Sequence, residues 1–245
     1  KVAPKALHPV VAAVHADCGP LLSASEALEP ALSALGVDAA CSRELRAYVA
    51  ERVTVLELAL KQVLGGKGLL VAERLRLEGE TARIASDLDA ALPLVELLDQ
   101  VTQPGSGRTT LSQAISQYRP EDQPAPRGRH MIATVAPLPA ECESVVTVSP
   151  RTTMMLVALA VSLVCGDHSD LPVHIAFTVS GGSATTTIAQ KRGKGDPLKM
   201  ATVRAIPPTL SCARAAADFI GARFDFAPTE RLVRIHWGAA KPAAE

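Results

Sequence analysis

Aromatic side chains are scarce in this chain. Four Phe, two Tyr and one Trp stand among 245 residues, of which 48% are apolar. A core of that composition is built from Leu, Val, Ala and Ile, which suits helix-on-helix seams better than aromatic-lined grooves. Net charge is also missing, since 25 Lys and Arg balance 25 Asp and Glu. That balance removes the whole-chain argument for binding nucleic acid. No apolar run is long enough for a membrane helix. The longest, Met154 to Cys165, is far short of the roughly 20 residues a span requires. No signal-peptide pattern opens the chain. The cysteines Cys18, Cys41, Cys142, Cys165 and Cys212 are odd in number, widely spaced and free of any Cys-x-x-Cys pair. They argue against a disulfide scaffold and for a reduced, cytoplasmic protein.

What is present divides into two halves, as the length allows. Residues 1–103 hold ten basic and fourteen acidic side chains, a net −4, and residues 104–245 carry the compensating +4. The first half is helical by pattern. Val11, Val14, Cys18, Leu21, Ser25, Leu28, Leu32 and Leu35 keep the 3,4 spacing of a heptad seam. A second helix is expected from Ser42, as N-cap, to Leu64, ended by Gly65-Gly66. A third is expected over Leu69–Val101, where Leu70, Arg74, Leu77, Thr81, Ile84, Leu88, Ala91, Val95 and Leu98 repeat the spacing. Pro30 and Pro93 are expected to kink the first and third helices near their ends. Two long heptad helices bury only part of their stripes against each other, so two copies of the pair complete a four-helix bundle and a homodimer is expected.

The second half alternates. A short helix is expected at Thr110–Tyr118, capped by Thr109 or Thr110, and a proline- and charge-rich loop over Arg119–Gly128. Strands are expected at His130–Val135, Ser144–Val148, Val173–Val179, Ala184–Gln190 and Ala201–Ala205. Helices are expected at Pro150–Cys165 and Leu210–Ile220. A hairpin of Arg223–Phe226 and Leu232–Trp237, turning through Ala227-Pro-Thr-Glu230, closes the chain. This order gives an α+β fold with helices on one face of a mixed sheet.

One segment is sharper than the rest. In Val14-His-Ala-Asp-Cys-Gly-Pro-Leu21, a histidine is followed five residues later by Pro-Leu. It resembles the phospho-acceptor box of sensor histidine kinases, which reads His, acidic, two variable residues, Thr or Asn, Pro, Leu. Glu80-Thr-Ala-Arg-Ile-Ala-Ser-Asp-Leu88 resembles the second bundle helix of the same family. The order of elements after residue 104, down to Asp218-Phe-Ile-Gly-Ala-Arg223 and the terminal hairpin, resembles its Bergerat-type ATPase domain. The resemblance implies a dimeric four-helix bundle from an N-terminal helical hairpin, then an α/β sandwich. It implies His15 as phospho-acceptor, supported by Asp17 and Pro20, and a response-regulator receiver domain as partner.

The departures from that family define the expectation. The helix from Ser42 to Leu64 is extra. The family holds Mg²⁺ with an asparagine, and this chain has none. The family reads adenine with Asp-x-Gly-x-Gly, and none of the eleven aspartates begins that pattern. Pro207-Pro-Thr-Leu-Ser211 stands where the glycine-rich lid belongs. Gly193-Lys-Gly195 lacks the strand-loop-helix setting of a phosphate loop. Ala16 replaces the acidic residue after the histidine, and Gly19 stands at the Thr/Asn position. Asp17 comes one residue late, about 100° away around a helix. The chain therefore looks most like family phosphotransferases with a vestigial ATPase domain. The expectation is a histidine phosphotransferase between receiver domains, with no cofactor of its own and Mg²⁺ supplied by the receiver. The alternative is a non-catalytic pseudokinase or adaptor.

Three other constellations carry chemistry-bearing residues. His15 and Cys18 form an i,i+3 pair with metal-ligand types, but no second pair lies nearby. Cys165-Gly-Asp-His-Ser-Asp170 reads as a polar turn after a buried helix, and Lys191-Arg-Gly-Lys194 as a solvated basic loop.

Overall fold

Asp38, not Ser42, opens the second helix. Its Oδ1 accepts from the Ala40 N–H at 2.9 Å, while the Ser42 hydroxyl donates to the Ala39 carbonyl inside the first turn. The computed structural model describes residues 7–64, 70–103, 109–116, 133–147, 149–165, 172–190 and 206–238. The fold is α+β, a helical region followed by a mixed sheet domain. Two compact units divide at Thr102, with Ile206–Thr209 grouped with the first.

The helical unit holds α1 (His8–Ala34), α2 (Ala40–Leu64) and α3 (Val71–Thr102). Helix α1 packs along both others. It ends in a Schellman motif. Gly36, at φ +71°, donates to the Ser33 carbonyl, and Val37 donates to that of Leu32. The chain then reverses into α2, and ion pairs record the antiparallel register. Arg43 and Arg46 reach Glu29 at 3.2 and 3.5 Å, and His15 lies level with Glu57. The α1 seam is buried within one chain at Val11, Cys18, Leu21, Ser25, Leu28 and Leu32, whereas Val14 is half-buried and Leu35 exposed. Helix α3 buries its stripe from Leu77 onward. Its expected seam residue Leu70 is exposed, and Arg74 pairs with Glu78 at 2.6 Å on the surface. Thr81 remains in the seam because its hydroxyl donates to the Leu77 carbonyl four residues back. Both α1, through Pro20 and Pro30, and α3, through Pro93, run on as continuous helices.

In the second unit, β1 (Thr109–Thr110) leads into α4 (Leu111–Ser116). Thr110 and Gln113 form a capping box. The Gln113 N–H donates to Thr110 Oγ1, and Gln113 Oε1 faces the Thr110 N–H. β2 is Ala133–Val135. Within the strand expected at Ser144–Val148, Ser144 ends a 3₁₀ turn (Ala140–Ser144) and β3 (Val146–Thr147) pairs antiparallel to β1, while Val148 lies outside the described residues. Ser149 caps α5 (Pro150–Cys165), with proline at its first position. β4 (Val173–Ser180) and β5 (Ser183–Gln190) join through Gly181-Gly182, both at positive φ, as a two-residue hairpin requires. α6 (Thr209–Phe219) precedes β6 (Ala222–Ala227) and β7 (Leu232–Trp237). The five-stranded order is β2-β4-β5-β7-β6, with β2 parallel to β4 and the rest antiparallel. Helix α5 covers the face that buries Ile175, Ile188, Ile235 and Trp237. The Trp237 indole donates to Thr186 at 2.7 Å within that layer. The strand expected at 201–205, the loop at 119–128, the polar turn at 166–170 and the basic run at 191–194 lie outside the described residues.

Candidate functional site

His15 sits in the second turn of α1, and the local chemistry follows from Pro20. Proline has no N–H, so the carbonyl of Ala16, four residues back, loses its intrahelical donor. The carbonyl that loses its i+4 donor lies one residue from His15. Ala16, Asp17, Gly19 and Pro20 are all exposed. A Cβ on Gly19 would meet nothing within 4 Å.

The imidazole lies at the edge of the seam with its side chain 35% exposed. Its Nε2, however, is shielded from solvent and has no hydrogen-bond partner. That atom faces α2, 4.0 Å from Oε1 of Glu57, whose own side chain is 52% exposed. The carboxylate nearest this nitrogen thus comes from α2 and not from Asp17, which projects into solvent. Cys18 turns the other way. It is buried, its Sγ donates to the Val14 carbonyl at 3.2 Å, and burial, aided by Asp17, pushes its thiol up from the ordinary range. The i,i+3 pair is therefore split between the core and the α2 side.

Glu57 escaped the sequence reading, and so did a second polar group. Arg52 Nε donates to Asp87 Oδ2 at 3.0 Å, and its guanidinium carbon stands 4.0 Å from the centre of the Tyr48 ring. Burial first, and then Asp87, pushes the Tyr48 hydroxyl up to about 12. The i,i+4 placement of Tyr48 and Arg52 on α2 was the available signal. This group ties α2 to α3.

In the sheet unit, the open face carries a chain of bonds across three strands. Thr185 Oγ1 lies 3.1 Å from His236 Nδ1, His236 Nε2 3.3 Å from Asp225, and Asp225 2.7 Å from Arg223. The Arg223 guanidinium holds the Asp225 carboxyl below its ordinary value, with His236 a lesser cause. Thr185, His236 and Arg223 are register partners, so the chain is a row of cross-strand pairs. On the covered side, Arg231 is buried at φ +48° and donates to Gln190 Oε1 at 2.6 Å. Nearby Cys165 is pushed up to about 11 by burial, which Arg231 offsets only in part. All five cysteines are buried and unpaired with one another.

No family model matches the chain, and no curated protein does. Among solved structures, the Acinetobacter baumannii histidine kinase AdeS aligns over 78% of this chain and 95% of its own, at 9% identity and a TM-score of 0.36. Among the described residues, no helix is long and apolar enough to cross a membrane.

Proposed function

We propose that this chain is a two-component signalling protein that accepts a phosphoryl group on His15 from one receiver domain and passes it to another, without using ATP. The observation that carries the reading is the placement of His15. It stands on the partly exposed edge of a packed helix, five residues before Pro20 within the same helix. A carrier asks less of its own site than an autokinase does, because the receiver brings Mg²⁺ and most of the charge stabilisation. The absence of asparagine and of Asp-x-Gly-x-Gly removes the ligands such a fold would use for Mg²⁺ and adenine. The sheet unit then serves as a degenerate ATPase-type domain that docks or supports, in the cytoplasm. The test is incubation with receiver domains phosphorylated by acetyl phosphate and Mg²⁺, following acid-labile, base-stable label on the chain. Calorimetry with Mg²⁺-ATP is expected to show no binding below millimolar concentration, and a micromolar Kd would overturn the ATP-independent part.

One observation favours the second reading, a pseudokinase or adaptor that binds a receiver or kinase by occupancy alone. Nε2 of His15 is covered by the protein's own α2. Binding of a receiver with equal affinity to wild type and His15→Ala, with no label on either, would select it.

A homodimer belongs to the first reading. Of the eight exposed large apolar residues of the helical unit, Val10, Leu58, Leu64, Leu70, Val71 and Leu75 lie toward one end, and Leu35 and Leu92 toward the other. The register sets α1 residue 15 level with α2 residue 57, and the short link makes α2 and α3 antiparallel neighbours. The start of α1, the end of α2 and the start of α3 therefore share that end, and the apolar surface there supports the dimer. Sedimentation is expected to give a dimer for wild type and a monomer for Leu64→Glu. An unchanged monomer in both would remove the dimer from the reading.

A further inference from the structure

The sheet unit holds a buried cation that no anion balances. Arg231 is 7% exposed, and its side-chain hydrogen bond goes to a neutral amide, Gln190 Oε1 at 2.6 Å. Arg52 shows the ordinary arrangement, with Asp87 at 3.0 Å. Among the described residues, no carboxylate pairs with Arg231 in that way. The ionisable group beside it is Cys165, whose thiol burial pushes up to about 11. That thiol is neutral at neutral pH and brings no negative charge. Taking a cation out of water without an anion is costly. The backbone adds a second observation. Arg231 ends the turn between β6 and β7 at φ +48°, the one non-glycine residue at positive φ among the described residues. In that turn the Glu230 N–H donates to the Ala227 carbonyl and the Arg231 N–H to that of Pro228. Glycine or asparagine takes such a position at little cost, and arginine does not. What the strain achieves is placement: the guanidinium lies against the end of β5, at Gln190, and the end of α5, at Cys165.

The open part of the guanidinium follows from the bond already made. Gln190 takes Nη1. Among the described residues, Nε and Nη2 have no acceptor, and the side-chain atoms sealed from solvent without a partner are Nε2 of His15 and Nε2 of His174. The Nε–Nη2 edge therefore reaches the surface. It presents two parallel N–H groups, a spacing that the two oxygens of one carboxylate match. We propose that Arg231 anchors a binding site for a small-molecule carboxylate, held side-on by Nε–H and Nη2–H while Gln190 fixes the guanidinium through Nη1. One cation then meets one monoanion, and the pair is neutral where little solvent reaches. A phosphate dianion on the same single cation would leave a net negative charge there. The site does not involve His15, so it stands or falls apart from the phosphotransfer reading.

The experiment titrates the full chain with sodium acetate, exchanged for sodium chloride at constant ionic strength. Arginine Nε–H groups are followed in ¹H–¹⁵N spectra, and Tm is read in parallel. Arg231→Lys and Arg231→Met each lack the Arg231 Nε–H and so identify its resonance. Acetate is expected to shift that resonance downfield and saturably, and to raise the Tm of wild type. Arg231→Met keeps the apolar stem without the donors, and its Tm is expected to ignore acetate. Arg231→Lys keeps the charge but loses the two-pronged edge, and its half-saturation is expected at about tenfold higher acetate. No saturation by about 100 mM acetate overturns the proposal, and so does an equal rise of Tm in wild type and Arg231→Met. A parallel titration with inorganic phosphate checks the ligand class. Half-saturation at lower phosphate than acetate overturns the choice of a carboxylate. Should Arg231→Met fail to fold, the saturation of the wild-type resonance and its weakening in Arg231→Lys decide the matter.

Discussion

His15→Ala is expected to reduce acid-labile label from phosphorylated receivers to background while leaving the helical unit folded. A phosphoramidate needs an imidazole nitrogen, and only two of the six histidines lie in the helical unit, His8 and His15. His8 precedes His15 by seven residues on α1. That is two turns, so it lies on nearly the same side of the helix. His8→Ala is therefore the informative control, and it is expected to keep full labelling. Alanine is a better helix former than histidine, and position 15 is at the seam's edge, so the substitution removes little packing. Far-UV circular dichroism of the variant is expected to match wild type. Equal label on both proteins would place the acceptor elsewhere, and label lost only in His8→Ala would move it two turns down.

The features that a period can encode were readable in advance, and those that depend on register were not. Helix α5 was legible because Ser149-Pro150 writes a cap and a first position, and a continuous apolar run follows. The strands Val173–Val179 and Ala184–Gln190 were expected, but their union into a hairpin through Gly181-Gly182 emerges only in the fold. The paired strand Thr109–Thr110 was missed because two residues cannot display a period of two. Heptad spacing identified the α1 face but not its neighbours, so it suggested that a second chain must cover the stripe. In the fold, α2 and α3 cover it within one chain. The candidate site divides along the same line. His15 and Pro20 are five residues apart in one helix and were visible as a motif. Glu57 is 42 positions away, and its approach depends on how α1 and α2 align, which side-chain spacing within either helix leaves open.

Charges also join α2 to α3, and Asp87→Ala measures how firmly. The Arg52 and Asp87 side chains are mostly buried, at 15% and 22% exposure, beside the buried Tyr48 ring. Surface pairs contribute roughly 0–1 kcal/mol. Removing one partner of a buried pair costs about 3–5 kcal/mol, because the other charge stays behind without compensation. With solvent reaching both groups, a loss of about 2–3 kcal/mol is expected for Asp87→Ala. In a unit of this size that lowers Tm by roughly 10 °C or more. The guanidinium keeps its contact with the Tyr48 ring, so Arg52 does not simply swing into solvent. The paired replacement Arg52→Met with Asp87→Leu removes both charges while retaining apolar volume, and it is expected to recover most of the loss. Denaturant unfolding followed at 222 nm reads all three proteins. A cost below about 0.5 kcal/mol for Asp87→Ala would mean that the pair behaves as a surface pair. Packing of the apolar side chains would then hold α2 against α3 unaided.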